Sequence, residues 1–199
     1  MRFFLIALIL LSCGCVSTGP SRVARYDMSQ SATIEGQSSG LLLRSVEVRS
    51  PSWLATPLMQ YRLDYAAGSR REAYGEARWV AMPAELLERL LQRRLLADAA
   101  VIKAVGCTLR VELNELVQAF DAPGTSRALL EIRTSLHAPR GDMLLSRRTF
   151  SLSRPAGADA SAGAAAISAA SSQLSMDVAA WLSGLYRETP ELALRCNAS

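Results

Sequence analysis

Histidine and lysine are almost missing from this chain: His137 and Lys103 are the only ones in 199 residues. A lone histidine on an alternating strand is far more often structural than a general base. A zinc site needs three or four nitrogen, sulfur or oxygen ligands, and one histidine with scattered cysteines does not supply them. No G-x-S-x-G elbow occurs, and no G-x-G-x-x-G or G-x-x-x-x-G-K-S/T phosphate loop. Glu112 and Glu115 stand three apart, on opposite faces of a strand, so they make no carboxylate pair. The residues therefore point to no enzyme, no cofactor and no metal. Aromatic side chains are also scarce, at 6%. The basic side of the charge balance is arginine throughout except for Lys103, and the net charge is only +4. A nucleic-acid binder concentrates such charge on an arm or a face. Here arginine and glutamate alternate along the elements, which reads as solvated faces and no nucleic-acid partner.

Long apolar runs are lacking too. Phe3 to Leu11 is nine residues, too short to span a bilayer. Behind Met1-Arg2 it fits the apolar part of a secretory signal. Leu10-Leu11-Ser12-Cys13-Gly14-Cys15 follows. Small residues ahead of a cysteine resemble the bacterial lipobox, in which that cysteine is acylated and becomes the first residue of the mature protein. Cys13 has leucine three before it and serine just before it, and is favoured; Cys15 stays open as the alternative. Residues 1–12 are then the signal, and the chain is held to a membrane through its N-terminal acyl anchor. Gly14 stands where aspartate would signal retention in the inner membrane, so the expected place is the periplasmic side of the outer membrane. Residues 13–40, rich in Ser, Thr, Gly and Gln, read as a flexible tether. Within it, Arg25 to Met28 is the one stretch with the character of a short docking strand. The remaining cysteines are Cys107, at the start of a strand, and Cys196, in the tail. An exported compartment permits a disulfide between them; one buried and one free thiol is the equal alternative.

Half of the residues are apolar, enough for one domain with a core, here taken as 41–188 with 189–199 as a loose tail. Its centre is Arg78 to Leu96. A strand ends at Trp79-Val80, and Pro83 sits in the first turn of a helix, where a missing N–H is tolerated. Leu86, Leu87, Leu90, Leu91 and Leu95 recur at helical spacing, and the helix is expected to reach about Ala99. Strands are expected at Leu41–Arg49, Met59–Asp64 and Arg71–Val80, with a turn at Ala66–Ser69. A short edge strand is expected at Val101–Val105. Three long strands at hairpin spacing follow, Cys107–Phe120, Ser126–Ala138 and Met143–Ser153, which predicts an antiparallel meander. Asp159 or Ser161 caps a last, alanine-rich helix that Pro190 stops. The fold class is α/β or α+β, with a mixed, largely antiparallel sheet of five to six strands and two main helices.

Several stretches, in order, resemble the ABC-type transport auxiliary lipoprotein family, which includes the lipoprotein partner of the paraquat-inducible MCE transport system. They are the lipobox, Tyr26-Asp27-Met28, the loop Val48 to Leu54, Tyr61 to Asp64, Tyr74-Gly75, Arg78 to Pro83 entering the leucine helix, Leu109 to Leu116 with Phe120, and Leu145 to Phe150. Met28 stands where the family has leucine. The resemblance covers Tyr26 to Leu185 and implies a three-layer arrangement around a mixed sheet, with no catalytic residues. It also implies partners: an MCE-domain protein and an inner-membrane ABC permease and ATPase, moving phospholipid or another hydrophobic substrate between membranes. Docking is then the expected mode of action, with Trp53, Leu54 and Tyr61 as the expected docking surface, since an apolar loop beside a strand is an economical contact patch. Packing of the three in the core is the alternative. The competing function is an outer-membrane lipoprotein that regulates a cell-wall synthase.

Overall fold

The computed structural model describes residues 23–28, 40–67, 70–96 and 105–197. Cys13 and Cys15 lie outside them, as do 97–104, so the edge strand expected at Val101–Val105 is not described except at its last residue. The elements are β1 Ala24–Tyr26, β2 Leu43–Arg49, β3 Leu58–Leu63, α1 Asp64–Ala67, β4 Arg71–Trp79, α2 Pro83–Leu95, β5 Cys107–Ala122, β6 Thr125–His137, β7 Leu144–Ala156, α3 Ala160–Glu188 and α4 Pro190–Asn197. The strands form one mixed sheet in the order β1-β4-β3-β5-β6-β7, with β2 paired to β5.

β5 is the spine. Its sixteen residues pair antiparallel with β6 along one edge. Along the other edge two short strands follow each other, β2 beside Cys107–Glu112 and β3 beside Gln118–Phe120, both parallel. The step from Leu113 to Leu116, which breaks the alternation in the sequence, is a bulge: Leu113 faces Ile132 and Glu115 faces Glu131, leaving Asn114 over. The bulge brings Leu116 onto the same face as Leu109, Val111 and Leu113. A second irregularity lies in β4, where Arg78 faces Leu58 but Ala73 faces Gln60. Five residues on β4 thus match two on β3. Tyr74 and Trp79 therefore both serve the covered face, and the simple alternation that would separate them fails.

The main core lies between that face and the two long helices, which pack side by side. In α2 the leucine stripe is buried as its spacing requires, and each leucine contributes about 1.5–3 kcal/mol. No side chain caps this helix; Pro83 at its first turn and the Met82 carbonyl, which accepts from the Leu86 N–H at 3.1 Å, start it. The helix ends at Leu95, four residues short of the expected Ala99. In α3, Asp159 accepts from the Ala162 N–H, and Ile167, Leu174, Val178 and Leu182 line the buried side. On the other face of the sheet the one-turn helix α1, where a turn had been expected, lies against β5. Val117 and Ala119, which point to that side, are fully buried. Among the described residues the third layer thus consists of this single turn.

Two terminal segments are built in more firmly than their composition predicts. The strand expected at Arg25–Met28 is Ala24–Tyr26, parallel to β4, and Met28 is a core residue at 0% exposure. Its carbonyl accepts from Ser168 Oγ of α3 at 2.8 Å. The expected loose tail contains α4, and Cys196 is buried there in a disulfide to Cys107 with a Cα–Cα separation of 4.9 Å. The bond ties the tail to the start of the spine across 89 residues of sequence.

One contact sets how closely α3 can approach the sheet. A Cβ on Gly163 would lie 1.8 Å from Gln118 Oε1. Gln118 is itself fully buried; its Nε2 donates to Ser126 Oγ and the Gly157 carbonyl, both at 2.9 Å, and its Oε1 accepts from Tyr74 Oη at 2.9 Å. Gly163→Ala should therefore lower the unfolding free energy by about 2–3 kcal/mol in a urea melt, through overpacking and disturbance of this network, despite alanine's better helix propensity. Gln118→Ala in the same chain should recover part of that loss. Replacing both Cys107 and Cys196 by alanine should lower stability by about 2–5 kcal/mol under oxidising conditions and abolish the effect of added reductant on the melt.

Candidate docking site

The loop between β2 and β3 folds on itself at Pro51, whose carbonyl accepts from the N–H groups of Leu54 and Ala55 at 3.0 and 3.1 Å. That turn sends neighbouring side chains in opposite directions. Leu54 is driven into the core at 2% exposure, while Trp53 stays 44% exposed. The Trp53 carbonyl accepts from Gln60 Nε2 at 2.9 Å, and the Arg71 guanidinium lies over the indole at 4.4 Å. Such a stack contributes about 0.5–1 kcal/mol at an exposed site.

Arg71 leads into a chain of charges across the uncovered face of the sheet. It reaches both oxygens of Glu115 at 2.9 Å, and Arg62 shares Glu115 at 3.5 Å. Arg62 also bonds Asp64, which faces Arg127 at 3.4 Å; Arg127 holds Asp121 at 2.9 Å. Three arginines and three carboxylates alternate, so the patch has no net charge. The Arg127 hydrogen bond keeps the Asp121 carboxyl below its ordinary value, and the bond from Asp64 raises Arg62. Pairs this exposed contribute little stability individually, and their effect is to hold the arginine that supports Trp53 in one place.

Tyr61 belongs elsewhere. On β3 and β4, Gln60, Arg62 and Arg71 point to the uncovered face, whereas Tyr61, Glu72 and Tyr74 point to the helix side. Tyr61 Oη donates to Glu72 at 3.0 Å, and its ring lies 4.7 Å from Tyr74 and 6.1 Å from Phe120. Burial, and then the neighbouring Tyr61, push the Tyr74 hydroxyl up to about 12, so it remains a donor to Gln118. The three residues expected to share a surface are thus split three ways: Trp53 on the open face, Leu54 in the core, and Tyr61, half-buried, in an aromatic cluster on the helix side of the sheet. Strand alternation and one tight turn are the reason.

The rest of the open face carries no reactive set. His137 has both ring nitrogens occupied, one at 3.1 Å from the Asp142 carbonyl and the other at 3.1 Å from Ser135 Oγ, so it braces the β6–β7 turn. A shallow cavity of about 360 Å³ lies there, walled in part by Arg49, Arg110, Glu112 and Arg147. Arg110 is paired with Asp142 at 2.7 Å and with Glu47 at 3.7 Å. Among the described residues no three metal-binding side chains come together. No helix among them is long and apolar enough to cross a membrane. Sequence reasoning missed a larger groove, about 580 Å³, between α3 and the outer side of β7. Its one signal was Gly184, a glycine inside an apolar helix.

The fold has solved relatives. A crystal structure of a protein from Xanthomonas campestris aligns with a TM-score of 0.71 at 18% identity, covering 84% of this chain and 99% of that one. Another, of an uncharacterized protein, aligns with a TM-score of 0.57 at 16% identity, covering 81% and 99%. At such identities the likeness is one of fold. No curated protein matches the chain. The family model described as "ABC-type transport auxiliary lipoprotein component" matches residues 26–179, from the tyrosine that ends β1 to the buried second half of α3. By that match, which takes in β2 to β7, α2 and the first two thirds of α3, the chain belongs to the ABC-type transport auxiliary lipoprotein component family.

Proposed function

We propose that this protein is acylated at Cys13, with Cys15 as the alternative, sits on the periplasmic side of the outer membrane, and docks an MCE-domain protein that works with an inner-membrane ABC permease and ATPase. The cargo in this reading is phospholipid or another hydrophobic substrate. The observation that carries the proposal is the family match over residues 26–179, which makes the chain a transport auxiliary lipoprotein of the envelope. The strap at Val23–Met28 adds a distance. Ten residues lead from Cys13 to Val23, so even a fully extended chain would hold the domain within about 33–36 Å of the acyl groups. The domain would then work close to the membrane, and less freely than a tether reaching to residue 40 would allow.

Trp53, held by Arg71 on the open face, is the part of the expected docking surface that a partner can reach. Affinity capture of the full-length protein from gently solubilised envelopes, read by mass spectrometry, tests the reading. An MCE-domain protein with its permease and ATPase is the expected recovery; a peptidoglycan synthase in their place would transfer the protein to cell-wall regulation. In the same assay Trp53→Ala should cut partner recovery several-fold while lowering stability by no more than about 1 kcal/mol, the loss of the Arg71 stack. Leu54→Ala should instead cost about 2–5 kcal/mol of stability, as a buried leucine does. Unchanged recovery with a folded Trp53→Ala protein would remove the open face from the docking scheme.

A further inference from the structure

The two edges of the sheet are treated differently. The outer side of β2 is closed by α2: Glu88 accepts from the Val48 N–H at 2.8 Å, and Gln92 Nε2 donates to the Val46 carbonyl at 3.2 Å. On the same side of the sheet as β2, the outermost strand is the strap β1, only three residues long. β7, by contrast, is thirteen residues long and among the described residues pairs with β6 alone. Pro155 reveals the direction of its free groups. Proline has no N–H, so its nitrogen must face away from β6, where no bond is lost. The register with β6 is unbroken from Ala156 to Ser146, so Arg147, Thr149, Ser151 and Ser153 also turn their N–H and C=O groups outward. Thr134 Oγ1 donates to the Arg148 carbonyl at 2.8 Å, which puts that even-numbered carbonyl on the β6 side, as this phase requires.

Beside this edge runs the groove of about 580 Å³. Its floor is the nearly buried pair Phe150 and Trp181, edge to face at 6.0 Å, and the half-buried Leu185 beside them. Gly184 leaves it open: a Cβ there would meet nothing nearer than Glu188 at 3.9 Å. A strand added to β7 would place alternate side chains over this floor. The charges select among such strands. β7 carries Arg147, Arg148 and Arg154 and no carboxylate. On β3, β5 and β6 every arginine is in an ion pair, namely Arg62, Arg110, Arg127 and Arg133. The arginines of β7 have no such partner among the described residues; Arg148 only lies over Phe150 at 5.1 Å. On the rim of the groove Arg148 and Arg187 offset Asp177 and Glu188, so Arg147 and Arg154 are the β7 charges left without a counterpart among the described residues.

We infer that the outer edge of β7, with the Phe150–Trp181 groove, is a docking site for an extended, acidic segment of a partner protein, which adds to the sheet as an eighth strand. Backbone pairing supplies the affinity, the groove receives alternate apolar side chains, and carboxylates answer the arginines. A second copy of the chain is disfavoured as occupant, because two β7 strands would bring arginine-rich edges with no carboxylate against each other. The inference goes beyond the transport reading, since it names a binding mode that does not depend on which system the partner serves.

The test is a phage-displayed library of random peptides of about 12 residues, panned on the full-length protein, followed by fluorescence anisotropy with the enriched peptides. Enriched sequences should alternate apolar and acidic residues, and binding should weaken as salt rises. Ser151→Pro removes an outward N–H without touching the β6 ladder and should weaken binding at least about tenfold while the melt stays cooperative. The double variant Arg147→Glu and Arg148→Glu should show a loss of the same size, and decides the matter if the proline variant does not fold. The inference is overturned by no enrichment, by enrichment of basic or helical-period peptides, or by equal binding to the folded variants. A concentration-dependent dimer in sedimentation that Ser151→Pro abolishes would overturn it in favour of a second copy.

Discussion

The pairing of β5 along both edges sets the position of nearly every other element. Its whole length is matched on one side by β6, and its other side is shared in series by β2 and β3. That sharing forces the chain to leave the sheet after Arg49 and return at Leu58, which creates the loop bearing Trp53 and Leu54. The bulge at Asn114 then lets so long a strand keep one apolar face toward the helices. Gln118, further along the same strand, meets Gly163 and so fixes the distance at which α3 lies. The disulfide at the first residue of β5 brings the C-terminal helix into the same frame.

One face of the sheet is therefore committed to the core, and function is left to the other face and to the edges. The uncovered face is largely self-satisfied. Its arginines and carboxylates alternate and neutralise one another, so it offers shape, one supported indole and little net field. An extended charge network of this kind costs a partner desolvation and returns no long-range attraction. The edges are a different matter, because backbone donors and acceptors that find no partner remain available wherever nothing covers them. The protein covers β2 with side chains of α2 and pairs β4 with its own N-terminal strap, whereas among the described residues nothing pairs with the outer edge of β7 beside the groove. By its family the chain is an auxiliary lipoprotein component of ABC-type transport.

Local periodicity was enough to read much of this. The leucine stripe of α2, the Asp159 cap of α3 and the three-strand meander are consequences of spacing within single segments, and their boundaries differ from expectation by only a few residues. So was the order of motifs that points to the family. What spacing could not show is where a strand slips. The bulges in β4 and β5 change which face a side chain serves, and they depend on register against a neighbouring strand far away in sequence. The same holds for Trp53, Leu54 and Tyr61, close in sequence yet delivered to three environments by one turn and one alternation. A docking strand at Arg25–Met28 and a Cys107–Cys196 disulfide were among the readings the residues left open, and long-range partners on β4, α3 and β5 decide both in favour of burial. The elements and the fold class were thus legible in the chain alone, since these follow from residue type and period. Which side chains remain outside was set by the folded arrangement, because exposure is settled by pairing between segments, and the outer edge of β7 takes its place only once the strands before it have paired.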